Sequence, residues 1–288
     1  SAGQGHSTTM AQIAADAFGV PVSDVVVKAH NTDYSSGMGT WGSRGAIIGG
    51  GSILRAAEVV KERVRQAAAH MLEAAPDDIV FGDGKVSVRG TPVANMALAD
   101  VAGAVYFAES THPPDFEPSL EATAAYDPTD LIMANGAHAV VLEIDPDTGF
   151  VSVEKIYAVE DCGTMINPMI VEGQIVGGAA QAIGMVFYEQ IVFDDNGQPL
   201  TTSLMDYLVP TAKEVAPVEI VHLDNPSKYL PGGMKPLGES AMVSLPGALL
   251  NAVNDALAHL GVFITDVPAT PERILDAIAS ASAPVSAS

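Results

Sequence analysis

Cysteine is nearly missing from this chain, since Cys162 is the single cysteine among 288 residues. One cysteine excludes an internal disulfide, a cysteine-rich zinc site and an iron–sulfur cluster held by this chain alone. Redox chemistry would therefore need centres supplied by a cofactor or by partner proteins. We predict that Cys162 itself is a small buried side chain.

Basic residues are also few, with 13 Lys and Arg against 35 Asp and Glu, and a formal net charge of −22. Such a charge repels phosphate backbones and anionic lipids, so nucleic acid and membrane surfaces are not expected as partners. Charge, glycine or proline interrupts every long apolar stretch, and residues 1–3 lack the layout of a signal peptide. We predict a cytoplasmic protein.

Familiar nucleotide-binding fingerprints are missing as well. The chain has no GxxxxGK[ST] segment, and GxGxxG occurs only at residues 37–42, without a βαβ unit around it. What the chain does have is 48% hydrophobic residues, enough for a substantial core.

Helix and strand patterns alternate along the chain. They predict an α+β fold in two halves, residues 1–130 and 131–288. Helices are predicted near 5–18, 46–75, 168–189 and 245–261. Strands and hairpins are predicted at 24–30, 77–90, 138–161, 190–201 and 218–224.

Three glycine-bearing segments stand out, at 2–9, 37–45 and 172–184. The first two place glycine and hydroxyl residues at helix starts, where free N–H groups can hold a phosphate or another polar ligand. In the third segment, small residues favour close helix packing, whereas Gln174 and Gln181 share a helix face that could bind a polar ligand. Both interpretations stay open.

The segment "KPLGES" places Glu239 at a glycine-lined turn before an apolar helix. A Glu at a helix start is commonly structural, because the orphan N–H groups and the helix dipole stabilise it. A functional role for Glu239 needs support from elsewhere in the chain.

Taken in order, "GQGH" at 3–6, "GTWGSR" at 39–44, "DCGTMINPMIVEGQIVGGAAQAIG" at 161–184 and "KPLGES" at 235–240 resemble the large subunits of molybdenum hydroxylases. This family includes xanthine dehydrogenase, aldehyde oxidoreductase, aerobic carbon monoxide dehydrogenase and bacterial N-heteroaromatic hydroxylases. The resemblance runs to about residue 275 and implies the α+β fold of their molybdopterin-binding domain.

The resemblance also implies residue roles. Glu239 matches the catalytic glutamate, which acts as a base in a dry pocket, and no side chain of this chain is expected to ligate the metal directly. The residues expected to bind the cofactor are Gln4, Gly5, His6, Thr40, Gly42, Ser43, Arg44, Gly45, Gln174 and Gly238.

The implied cofactor is molybdopterin carrying Mo, in the cytosine dinucleotide form. The implied reaction hydroxylates an N-heteroaromatic or aldehyde carbon with oxygen derived from water. The implied partners are the remaining part of the large subunit, an iron–sulfur subunit with [2Fe-2S] clusters and an FAD subunit. Because the family's large subunit is much longer, we expect either a fragment or one product of a split subunit. The alternative is a non-catalytic structural or interaction fragment without a complete cofactor site.

Overall fold

The computed structural model describes residues 1–29, 31–33, 37 and 39–282, and it divides into two compact units. The first unit contains Ser1–Ile132 and Pro226–Pro236, and the second contains Met133–Asn225 and the chain from Leu237 onward. The sequence places the division at 130/131 and assigns all later residues to the second half. The structure instead assigns Pro226–Pro236 to the first unit. There, the Tyr126 hydroxyl donates a hydrogen bond to the carbonyl of Tyr229 at 2.9 Å.

Three helices belong to the first unit. They are α1 (His6–Phe18), α2 (Gly50–Met71) and α3 (Leu98–Phe107). A short π-helical turn, Gly45–Gly49, leads directly into α2. The predicted helix near 5–18 is confirmed, and the one predicted over 46–75 corresponds to this turn together with α2.

An antiparallel sheet completes the first unit, in the order β1 (Ile79–Gly82), β2 (Lys85–Val88) and β3 (Thr91–Ala97). The turn between β1 and β2 has φ of 50° at Asp83 and 69° at Gly84, the left-handed pair that an Asp-Gly hairpin requires. The core between the sheet, α2 and α3 is apolar. Its buried residues are Val64, Ala67, Ala68, Ala69, Ile79, Val86, Val101 and Val105.

The second unit is built on a mixed sheet. Strand β4 (Asn135–Ile144) pairs antiparallel with β5 (Val151–Asp161), and β5 pairs parallel with β6 (Val218–His222). Helices α4 (Pro168–Phe187) and α5 (Ser240–Leu257) pack together against this sheet, and α6 (Pro271–Ser282) follows. The core includes Ile156, Ala179, Ile183, Val186, Leu245, Leu249, Val253 and Ile274.

By length and composition, α4 is long and apolar enough to cross a membrane, with a mean hydropathy of 1.3. In the structure its second half supplies core residues of the second unit, among them Ala182, Ile183 and Val186, which are at most 1% exposed. Asn167 caps the helix by accepting from the N–H of Ile170 at 3.1 Å. The burial identifies α4 as a core helix.

The α+β fold class is confirmed, but two strand predictions are not. Residues 25–29 are not in a strand, and Val26 is 79% exposed, so that segment has no sheet face to cover; His30 lies outside the described residues. The hairpin predicted at 190–201 is reduced to a single bridge between Phe193 and Pro199. Helix α5 also begins earlier than predicted, at Ser240, and includes Pro246.

Candidate functional site

The residues predicted to bind a cofactor in the first unit lie at two neighbouring helix starts. Gly5 is the N-cap of α1, with φ of 76°, and no side chain caps that helix start. Gln4 lies just before it, and its side-chain oxygen accepts from the hydroxyl of Ser1 at 3.1 Å and from the N–H of Ala2. The start of α1 therefore presents backbone N–H donors that no N-cap side chain of the described residues satisfies.

The loop at Thr40–Gly45 ends at the second helix start. Gly42 and Ser43 both have left-handed φ, 61° and 55°, which turns the chain sharply before the π-helical turn. The Arg44 guanidinium stacks over the Trp41 ring at 4.0 Å, and this start also has no side-chain cap. A cationic side chain thus lies next to a second set of N–H donors.

These two helix starts meet at His6 and Gly45. A Cβ added at Gly45 would lie 2.6 Å from Nε2 of His6, so a side chain there would push the His6 ring out of its place. Two positive helix ends and an arginine suit an anionic or strongly polar ligand such as a phosphate. The loop's neighbours Tyr34, Ser35, Ser36 and Met38 lie outside the described residues.

The remaining predicted residues lie together in the second unit. Nε2 of Gln174, on α4, donates to the carbonyl of Gly238 at 3.2 Å. Glu239 follows as the N-cap of α5, with φ of −115° and ψ of 5°, and its side chain does not cap the helix. Gln181, predicted to share the inward face, is exposed instead.

Glu239 itself is exposed in this chain, whereas the resemblance implies a dry pocket. The carbonyl of Glu239 accepts from the N–H of Val243 at 3.1 Å, and the N–H of Ser240 donates to the carbonyl of Leu237 at 2.9 Å. Hydrogen bonds therefore fix the backbone on both sides of the carboxylate. The predicted residues form two groups, one in each unit.

A group of buried polar residues in the second unit was not predicted as a site. Glu160, at the end of β5, is 0% exposed, and its Oε1 lies 3.3 Å from Nε2 of His138 on β4. His222 pairs with Glu160 across the parallel strands, and both of its ring nitrogens are buried with no hydrogen-bond partner among the described residues. From sequence alone, His138 and His222 are predicted to be surface or packing residues, because they show no metal-ligand spacing.

The prediction for Cys162 is confirmed: it is 4% exposed. It follows Asp161, a buried carboxylate that accepts from the N–H of Gly163 at 3.1 Å and from Nδ2 of Asn225 at 3.2 Å. Among the described residues, no group of three or more His, Cys, Asp or Glu side chains is arranged to hold a metal ion.

Comparison with known families identifies the domain. The model of the molybdopterin cofactor-binding domain matches residues 1–216. The chain belongs to this family. The resemblance to the large subunits of molybdenum hydroxylases is thereby confirmed. The first unit has donors that suit the phosphate of such a cofactor, namely the Arg44 guanidinium and two helix starts without a side-chain cap.

Individual relatives are similar over nearly the whole chain. The nicotine 6-hydroxylase large subunit of Paenarthrobacter nicotinovorans is 49% identical over 278 residues, which is 96% of this chain and 34% of that protein. The carbon monoxide dehydrogenase large chain of Afipia carboxidovorans is 39% identical over 93% of this chain and 33% of that protein.

Solved structures give the same picture. The crystal structure of quinoline 2-oxidoreductase from Pseudomonas putida 86 matches with a TM-score of 0.94 and 59% identity, over 97% of this chain and 36% of that chain. The chain therefore spans about a third of the length of the proteins that it matches.

Proposed function

We propose that this chain is the catalytic, molybdopterin-binding part of a molybdenum hydroxylase that acts on an N-heteroaromatic carbon. The observation that carries the proposal is the hydrogen bond from Gln174 to the carbonyl of Gly238. It ties together two segments 64 residues apart, each predicted to contact the cofactor, and it fixes the residue immediately before Glu239.

When bound, the cofactor supplies the metal centre that accepts the electrons of the reaction. The residues proposed to hold it in the first unit are Gln4, Gly5, His6, Thr40, Gly42, Ser43, Arg44 and Gly45. There, N–H groups and the Arg44 guanidinium would receive phosphate oxygens, because such donors favour anions. The cytosine dinucleotide form, with its two phosphates, suits the presence of two adjacent helix starts.

Glu239 is proposed as the general base. A carboxylate oxygen of Glu239 would accept a proton during hydroxylation, and the backbone hydrogen bonds at Leu237 and Val243 would fix the point from which its side chain extends. Gln174 is proposed to orient Gly238 and to contact the pterin. Gly238 has no side chain, which leaves the approach to the carboxylate open.

Two relatives support the proposed substrate class. Their names give nicotine and quinoline, both nitrogen heteroaromatic compounds. Ring nitrogen makes the neighbouring carbon electron-poor and open to attack by water-derived oxygen, and these two names are our reason for favouring an N-heteroaromatic substrate over an aldehyde. Relatives named as a large subunit and as a subunit of a complex support a multi-subunit enzyme. We propose iron–sulfur and FAD subunits as electron-transfer partners and the cytoplasm as the location.

The test is Glu239→Gln in the assembled enzyme, with Mo content and turnover of quinoline and nicotine measured together. We expect normal Mo content and kcat lowered by about 10²–10⁴-fold, the contribution of one general base. Glu143→Gln, an exposed carboxylate on β4, is the matched control and should keep turnover. Normal turnover in fully loaded Glu239→Gln would refute the role of Glu239. A wild-type protein with neither Mo nor turnover would favour the non-catalytic alternative.

A further inference from the structure

The buried carboxylate of Glu160 needs a physical reason. It is 0% exposed, and neither of its oxygens accepts a hydrogen bond from the described residues. Burying a charge without a partner is strongly unfavourable, so such a group is normally paired. A buried hydrophobic residue of similar size would fill the same position at lower cost.

A glycine on the neighbouring strand leaves room for this carboxylate. In the register of β4 and β5, Gly136 lies opposite Glu160. A Cβ added at Gly136 would lie 2.7 Å from Oε2 of Glu160 and 3.0 Å from its Cδ. Gly136 does not have a left-handed φ, so its backbone conformation does not require glycine. The missing side chain instead leaves room for the carboxylate of Glu160.

His138 connects Glu160 to helix α5. It lies two residues after Gly136 on β4, with a side chain 1% exposed, and its Nε2 is 3.3 Å from Oε1 of Glu160. Its Nδ1 lies 2.7 Å from Oγ of Ser244, within hydrogen-bond distance. The imidazole thus lies between the carboxylate and the helix, with Nε2 near Glu160 and Nδ1 within hydrogen-bond distance of Ser244.

The contact reaches α5 at Ser244, directly after the first helical turn, which follows Glu239. Ser244 lies one turn after Ser240, whose hydroxyl is also buried and has no partner among the described residues. Ala241, in the same turn, packs against Ala158 of β5, two residues before Glu160 and on the same face of the sheet. On the other side, Gly178 of α4 approaches so closely that an added Cβ would lie 3.0 Å from the Ala241 methyl.

We propose that Glu160 and His138 are positioning residues: their buried carboxylate–imidazole pair, linked to Ser244, fixes the first turn of α5 and therefore the direction of Glu239. The pair acts through the helix and does not touch substrate. The catalytic consequence rests on the function proposed for Glu239, but the effect on the helix turn does not.

The experiment uses the assembled, cofactor-loaded enzyme and the variants Glu160→Gln, Ser244→Ala and Ser244→Thr. Hydrogen–deuterium exchange over 239–244 is measured first, because it does not depend on turnover. We expect exchange to be at least about tenfold faster in Glu160→Gln and Ser244→Ala, since local opening of the turn becomes easier. Ser244→Thr keeps the hydroxyl and should restore slow exchange. Ser152→Ala, which removes an exposed hydroxyl on β5, is the matched control and should leave α5 unchanged.

Kinetics then test the catalytic consequence. In both weakened variants, kcat should fall by about tenfold or more while KM stays within about twofold and Mo content is normal, because binding groups are untouched. Unchanged exchange in both variants would overturn the proposal. If Glu239→Gln is inactive, faster exchange with unchanged kcat would also overturn it. If Glu160→Gln does not fold, Ser244→Ala carries the test, since it leaves the carboxyl in place.

The same measurements separate the two proposals. If Glu239→Gln keeps its turnover, the proposed function fails, and the exchange data still decide whether the pair fixes α5. If Glu239→Gln is inactive and exchange over 239–244 is unaffected by the variants, only the positioning role is lost.

Discussion

Gly136→Ala is the sharpest stability test of the second unit. The substitution adds one methyl group at a position whose Cβ would lie 2.7 Å from Oε2 of Glu160 and 3.2 Å from its Oε1. Ordinary contact between carbon and oxygen needs more than 3 Å, so the carboxylate must shift by about half an ångström. Such a shift would disturb the 3.3 Å contact with His138.

The magnitude follows from two costs. Forcing an extra methyl group against the buried carboxylate costs about 1–3 kcal/mol, as other overpacking substitutions do. Moving the carboxylate away from the His138 ring adds to this, because a buried polar group that loses its neighbour costs about 1–3 kcal/mol. We expect Gly136→Ala to lower the free energy of unfolding by about 2–4 kcal/mol, and Tm by about 5–15 °C.

The assay is calorimetric or urea-induced unfolding, with Gly247→Ala as the matched control. Gly247 lies inside α5 with open space around its Cβ position, so alanine there should stabilise by about 0.5–1 kcal/mol. Glu160→Ala removes the clashing oxygens, and in that background the cost of Gly136→Ala should nearly vanish. A Gly136→Ala protein as stable as wild type, or a cost that persists without Glu160, would refute the reasoning.

Two further outcomes are expected. Gly178→Ala should be about 1–2 kcal/mol less stable than Gly177→Ala in thermal unfolding, because its methyl would meet the Ala241 side chain at 3.0 Å, whereas Gly177 has open space; equal stabilities would contradict close packing of α4 on α5. Thr148→Ala should raise the pKa of Asp145 in an NMR titration, because the hydrogen bond from Thr148 is the main cause that lowers this pKa. The folded carboxyl has the depressed pKa, so its stabilising contribution is present above the unfolded pKa and is lost as pH falls through the folded one. A pKa unchanged by the substitution would contradict that cause.

Local sequence signals predicted much of the fold. An Asp-Gly pair between alternating apolar residues predicts the turn at Asp83 and Gly84, because only such residues accept the required φ easily. Asn167 followed by Pro168 marks the start of α4 for a similar reason, since the asparagine caps the helix and the proline tolerates its first position. These features depend on neighbours in the sequence and need no knowledge of distant partners.

Long-range pairing could not be predicted in this way. The segment at 24–30 has the β-branched content of a strand, but residues 25–29 are not in one, because a strand also needs an edge to join. The return of Pro226–Pro236 to the first unit has no local signal either, since it depends on contacts such as that between Tyr126 and Tyr229.

In the candidate site, too, local sequence signals and long-range pairing contribute differently to single residues. Glu239 carries no signal of its own, because a glutamate at a helix start is ordinary, and only the ordered set of motifs assigns it a role. Glu160 does carry a weak signal: Ile156, Ala158 and Glu160 alternate along one face of β5, which places a charge where the pattern demands an apolar residue. That signal gains meaning only when the register brings Gly136 opposite it and His138 beside it. The proposed base thus comes from a local motif, while the support proposed for it is distributed over two strands and a helix, and emerges only from their pairing.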